Sequence, residues 1–126
     1  MNALAFLRNH HFFQEFREKD LDRLAGLIEV ETYPPEDKVI RSGDEGNCAY
    51  IVMQGRIRIE IKDGEVVRYA GAGEMLGEMA LLTGETRTAD CITETETSVL
   101  KITSELFERI AARTRALLGN LSTMLV

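Results

Sequence analysis

Tyr50-Ile51-Val52-Met53, Arg56-Ile57-Arg58-Ile59-Glu60-Ile61 and Val66-Val67-Arg68-Tyr69 are three short runs separated by Gly55 and by Lys62-Asp63-Gly64-Glu65. The alternation over residues 56–61 has the two-residue period of a half-buried strand, and Asp-Gly between two such runs makes a hairpin turn. Working outward, the same texture extends from Glu29 to Ile102, punctuated by Gly43, Gly46, Gly55, Gly64, Gly71 and Gly73, with Ser98-Val99-Leu100-Lys101-Ile102 as a further strand. Before Pro34-Pro35, Phe12 to Ile28 reads as one amphipathic helix with Phe13, Phe16, Leu21, Leu24, Leu27 and Ile28 facing inward. After the strands, Thr103 or Ser104 caps a helix whose first turn holds Glu105. Leu106, Phe107, Ile110, Thr114, Leu117, Leu118, Leu121, Met124 and Leu125 continue it at helical spacing. The expected fold is mainly β with flanking helices, an eight-stranded β-roll of the jelly-roll type. A single domain is expected over 1–126, with an N-terminal helical segment at 1–28, the roll at 29–102 and C-terminal helices at 103–126.

Within the roll, Leu76-Gly77-Glu78-Met79-Ala80-Leu81-Leu82-Thr83-Gly84-Glu85-Thr86-Arg87-Thr88-Ala89 carries the chemistry. Gly77 has no Cβ, so a ligand can approach its backbone, and the residues after it form about one turn of helix. The first amides of that helix have no internal partner and sit at the positive end of the peptide dipoles, which favours a phosphate. Thr83-Gly84-Glu85 reads as a turn into a strand-like run from Thr86 to Glu94. The reversal brings Arg87 beside the helix start, where a guanidinium can hold a phosphate with two parallel hydrogen bonds. Alternation puts Arg87, Ala89 and Cys91 on one face and Thr88, Asp90 and Ile92 on the other. Ala89 leaves room for a ligand, and Glu78 is suited to accept hydrogen bonds from a sugar hydroxyl. The bland reading is a surface ion pair between Glu78 and Arg87.

Gly-Glu-x-Ala-Leu, a short turn and Arg-Thr-Ala resemble the phosphate-binding cassette of cyclic-nucleotide-binding domains, here over residues 76–89. Gly43-Asp44-Glu45-Gly46, Tyr50-Ile51-Val52 and Gly55-Arg56-Ile57 are similar to that family's turn, strand and glycine pattern, and the resemblance covers about Leu7 to Leu125. It implies that Arg87 holds the exocyclic phosphate oxygens and Glu78 the ribose 2′-hydroxyl. The backbone around Gly77, Met79, Ala80, Thr88 and Ala89 then completes the cradle. It also implies hinge and lid helices at the C-terminus, with a last helix that covers the base and in some members pairs two subunits. The expected ligand is cAMP, with cGMP the alternative. Thr88 resembles a guanine contact in some members, whereas Glu65-Val66-Val67 reads as an apolar neighbour to the base. The expected output is movement of the C-terminal helix, in a homodimer or toward an attached or separate effector.

Composition narrows the alternatives. A net charge of −6 opposes non-specific nucleic-acid binding, so no nucleic-acid partner is expected of this chain alone. The start Met1-Asn2-Ala3-Leu4 lacks a basic-then-apolar secretion signal and no apolar run spans a bilayer, from which a cytoplasmic location and no membrane partner are expected. Cys48 and Cys91 read as small buried residues rather than a disulfide. No metal or cofactor is expected, since His10 and His11 are adjacent and read as lying before the first helix rather than inside a barrel. Gly71-Ala72-Gly73 lacks the spacing and βαβ context of a dinucleotide site. No nucleophile has a base beside it, so no enzyme is expected. The apolar stripe is still running at Leu125-Val126, which points to a longer protein. The contrasting reading is a roll that has lost its ligand and serves as a dimerisation or protein-interaction module.

Overall fold

The computed structural model describes residues 2–14 and 16–113. It opens with α1 (Ala3–Asn9), a 3-10 turn (His11–Phe13) and α2 (Glu18–Leu27), followed by β1 (Glu29–Tyr33), β2 (Lys38–Ile40), β3 (Cys48–Gln54), β4 (Ile57–Ile61) and β5 (Glu65–Ala70). Next come β6 (Met75–Leu76), α3 (Glu78–Thr83), β7 (Asp90–Thr93), β8 (Thr97–Thr103) and α4 (Ser104–Arg113). All strand pairs are antiparallel. One four-stranded sheet has the order β1-β8-β3-β6 and the other β2-β7-β4-β5. This is the β-roll of the sequence reading.

Two apolar clusters share one sheet. In β3 the side chains of Ala49, Ile51 and Met53 pack with Leu7, Phe13, Leu24 and Phe107 on the helical side, while Cys48, Tyr50 and Val52 face the roll interior with Ile57, Ile59 and Cys91. In β8, Leu100 and Ile102 join the first cluster and Val99 the second. β3 is covered on both faces, which is why its sequence is nearly continuously apolar while β4 alternates; β8 is apolar only over Val99, Leu100 and Ile102.

The single helix expected over Phe12 to Ile28 is instead broken. Asn2 caps an additional helix, α1, by accepting from the Ala5 amide at 2.8 Å. The chain turns at His11–Phe13, and α2 starts at Glu18 with Glu18 and Asp20 in its first turn, favourably placed at the positive helix end. The break lets Phe13 become 2% exposed and meet Phe16 edge-on at 5.5 Å. Leu21, Leu24 and Ile28 are buried as expected; Leu27 is not, being 57% exposed beside a groove toward Leu106 and Ile110. At the other end, Leu106, Phe107 and Ile110 of α4 are buried against the helical cluster, and the Leu106 amide donates to Thr103 Oγ1 at 3.2 Å, so Thr103 is the cap. Thr114, Leu117, Leu118, Leu121, Met124 and Leu125 lie outside the described residues.

His10 follows α1 rather than preceding the first helix. It is buried among Phe6, His11 and Phe13, and its Nε2 donates to the Gly73 carbonyl at 2.7 Å, tying the N-terminal helices to the loop before β6. Burial pushes its pKa below the ordinary 6.5, although the bond to Gly73 opposes the shift and the charge of His11 reinforces it. A depressed imidazole leaves the unfolded chain binding more protons as pH falls through 6.5, so stability is lost on the acid side of that value. Urea midpoints between pH 7.5 and 5 should therefore fall more steeply for wild type than for His10→Gln. Parallel slopes would remove His10 from the acid limb.

Candidate functional site

The cassette is built by two glycines and a turn. Gly77 (φ +80) lies just before α3 and Gly84 (φ +74) just after it, both in the left-handed region that a side chain would strain. A Cβ on Gly77 would run into Arg87 Nη1 and come 3.1 Å from Ile40 Cδ1, so the position is fixed by space as well as by dihedral. After Gly84 the chain does not enter a strand at once. β7 begins only at Asp90, because the main chain of Thr86 and Arg87 is taken by the Gly43-Asp44-Glu45 turn. The Arg87 amide donates to Asp44 O at 2.8 Å, the Gly43 amide to Arg87 O at 2.9 Å, and Thr86 bridges Glu45. The upstream glycine turn is thus the clamp that sets Arg87.

Arg87 is 8% exposed and Glu78 9% exposed. The guanidinium donates through Nη1 to Gly77 O at 2.7 Å and through Nη2 to Cys48 O at 2.6 Å, with Cys48 Sγ at 3.8 Å. These carbonyl bonds use two of its five N–H donors and leave the rest of the fork for a ligand. Among the described residues no ion pair joins Arg87 to Glu78, so the bland surface pairing is not what the structure contains. Burial raises the Glu78 pKa, partly offset by a hydrogen bond from its own amide and by the charges of Arg68 and Arg87. A buried carboxylate of this kind gains from a donor supplied by something that binds.

Gly77, Glu78, Met79, Ala80, Arg87, Thr88 and Ala89 all line one open cavity of about 210 Å³. Arg87, Glu78 and Ala80 are buried in its wall, Ala89 is half-buried, and Met79 and Thr88 stand exposed at its rim. Ile40, Ile59, Leu76 and Cys91 give it an apolar floor; burial pushes the Cys91 thiol up to about 11 and keeps it neutral. Two contributors escaped the sequence reading. Arg68 of β5 lines the cavity, whereas Glu65, Val66 and Val67, from which a mainly apolar contact was expected, are not among its lining residues, and Arg68 is held by Glu74 at 3.5 Å. Its signal was a charge set two residues before the buried Ala70, on the same face of the strand. Gly46 is the other: a Cβ there would overlap that of Ala80 and come 3.1 Å from Arg87 Cζ and Nε.

Residues 30–114 match the cyclic nucleotide-binding domain family. The chain belongs to that family. As a cyclic nucleotide-binding domain it is 31% identical over 120 residues to a cGMP-dependent protein kinase of Eimeria tenella, covering 95% of this chain and 11% of the kinase. Among solved structures it is similar to the regulatory subunit of a cAMP-independent protein kinase A from Trypanosoma brucei, with a TM-score of 0.84, 25% identity, and coverage of 97% of this chain and 45% of that one. That subunit has also been solved with cAMP bound after three exchanges, two to alanine and one to arginine, the arginine seven positions after the first alanine. A cyclic nucleotide-binding-like protein from Brucella abortus is 31% identical, with a TM-score of 0.70 and coverage of 87% of this chain and 97% of that one. The domain spans about a tenth of the curated kinase it matches and about half of the trypanosomal subunit. No helix among the described residues is long and apolar enough to cross a membrane.

Proposed function

We propose that this domain binds a purine 3′,5′-cyclic nucleotide and passes its occupancy to the C-terminal helix. The observation that carries the reading is Arg87, buried next to the left-handed Gly77 and the start of α3, in a cavity wall it shares with the small Ala80. In that place a guanidinium and the first α3 amides converge on one anion, with the Thr88 and Ala89 amides beside them. Glu78, buried in the wall with a hydrogen bond from its own amide, takes the ribose 2′-hydroxyl. The trypanosomal subunit supports the same residues: the form with cAMP has alanine and arginine seven positions apart, as Ala80 and Arg87 are here, although its second alanine stands where this chain has Thr88.

Coupling runs through Leu81, which packs on the cluster containing Leu106, Phe107 and Ile110. A phosphate that draws in α3 shifts Leu81 and with it the seat of α4. The helix then moves to the extent that the ligand prefers one arrangement over the other. Base choice has two readings. cAMP agrees with the apolar floor, and cGMP is favoured by Arg68, since paired guanidinium donors match guanine O6 and N7 and meet a donor on adenine.

Thermal melting with each nucleotide tests both. A ligand at ~100 times its dissociation constant should add ~2.7 kcal/mol of stability. If guanine is read by Arg68, Arg68→Ala should weaken cGMP by about 5–150-fold, what a bidentate base contact of ~1–3 kcal/mol gives, and leave cAMP within about twofold. A melting temperature unmoved by either nucleotide would return the domain to the interaction-module reading.

A further inference from the structure

The two carbonyls that follow Gly46 connect the phosphate site to the start of α4 by a route separate from the Leu81 packing. Cys48 O accepts from Arg87 Nη2 at 2.6 Å, and its neighbour Asn47 O accepts from the Ser104 amide, the first residue of α4, at 3.0 Å. Cys48 also pairs in register with Thr103, whose hydroxyl caps that helix. Gly46 leaves no slack on the other side, since its backbone lies against Ala80 and the Arg87 guanidinium. Room to move exists on the helix side, where a cavity of about 340 Å³ is lined by Asn47, Cys48, Lys101, Thr103, Ser104 and Glu105.

We infer that the Gly46-Asn47-Cys48 main chain is a relay through which the position of Arg87 sets the first turn of α4. Its use by a ligand, though not the mechanical link itself, rests on the proposed role of Arg87 in holding the phosphate. An anion that competes with Cys48 O for the Nη2 donor releases one end of the segment, and the bond from Asn47 O to Ser104 then loosens or re-forms in a new place. A side-chain contact can be bypassed by repacking; this link is covalent between its two hydrogen bonds and cannot be. Asn47 and Cys48 act as positioning residues through their carbonyls, whatever their side chains.

Ser104→Pro cuts the link selectively. Proline lacks the N–H that Asn47 accepts, suits the first helical position, and requires an extended residue before it, which Thr103 at the end of β8 already is. Hydrogen exchange is followed at the Glu105, Leu106 and Phe107 amides, with Val99 and Leu100 as controls. It is measured in wild type, Arg87→Met, Ser104→Pro and the double variant, each without nucleotide and with cAMP or cGMP. In nucleotide-free protein, Arg87→Met should speed exchange at the α4 amides about fivefold, the worth of one intramolecular hydrogen bond, with little change in β8. In the Ser104→Pro background Arg87→Met should add nothing. Ser104→Pro should bind nucleotide within about twofold of wild type while its α4 amides stop responding to it. Additive effects of the two substitutions, or an undiminished nucleotide response in Ser104→Pro, would overturn the relay. If wild type bound neither nucleotide and the nucleotide-free non-additivity persisted, the ligand reading would fall and the relay would stand.

Discussion

Arg87→Met should weaken cyclic-nucleotide binding by about a hundredfold or more in a calorimetric titration. The two charge-assisted hydrogen bonds proposed to the phosphate, at ~1.5–3 kcal/mol each, would be lost together, and at ~1.4 kcal/mol per decade even the lower figure exceeds two decades. The guanidinium also holds Gly77 O and Cys48 O at 2.7 and 2.6 Å, so the variant loses the fixed shape of the cradle as well as its charge. Methionine keeps most of the aliphatic volume, which limits any cavity penalty to the fork itself. Arg87→Lys should recover the charge without the paired geometry and fall between the two. Equal affinities for wild type and Arg87→Met would remove the assigned role. Loss of affinity with an unchanged nucleotide-free melting temperature would place the effect in binding rather than in folding.

Gly46→Ala should lose both stability and ligand response from a single methyl group. Its new Cβ would occupy the place of the Ala80 Cβ, which cannot swing aside because Ala80 belongs to α3, and would press on the Arg87 guanidinium, which is tied to Gly77 O and Cys48 O. Overpacking of this kind costs ~1–3 kcal/mol, or roughly 5–10 °C of melting temperature for a chain of this length. Relief comes by pushing α3 away from β3, which opens the cradle. Gly26→Ala is the matched control. Its Cβ meets nothing within 4 Å on the exposed face of α2, and the change from glycine to alanine in a helix should raise stability by ~0.5–1 kcal/mol. A Gly46→Ala protein with wild-type melting and wild-type nucleotide response would show that the segment yields where it is described as rigid.

The longer strands were legible both where one face is wet, as in β4, and where both are covered, as in β3. Ile57-Arg58-Ile59-Glu60 alternates and forms β4 as read, and Lys62-Asp63-Gly64 makes the connection to β5 through a 3-10 turn. The cassette was legible because Gly77, Gly84 and the helix formers between them leave the backbone little choice, and the residues singled out there do converge on one cavity. What escaped depends on contacts between distant segments. The start of β7 at Asp90 is set by main-chain bonds from Arg87 to Gly43 and Asp44, which no local pattern records. The spacing of Phe13, Phe16, Leu21 and Leu24 suits one long helix equally well, and only the packing of Phe13 under the sheet shows why the chain breaks before Glu18. Arg68 has no role in the sequence reading, because a charge on an edge strand ordinarily points outward, whereas this one lines a cavity. The carbonyl partners of Arg87 belong to the backbone and have no signature in side-chain identity.

A strand with water on one side is kept in place by polarity, because a slip of one residue would put its apolar set into solvent. β3 has no such guard. Sliding Ala49, Ile51 and Met53 into the places of Tyr50 and Val52 would exchange the occupants of two oily compartments and wet almost nothing. Its alignment must therefore be chosen by bulk and shape, by the irregular pairing between Val52 and Gln54, and by Gly55, whose φ of +112 and closeness to Thr97 admit no side chain. Mutations that alter the size of these residues at constant hydrophobicity should thus produce misaligned, still compact molecules before they produce unfolded ones.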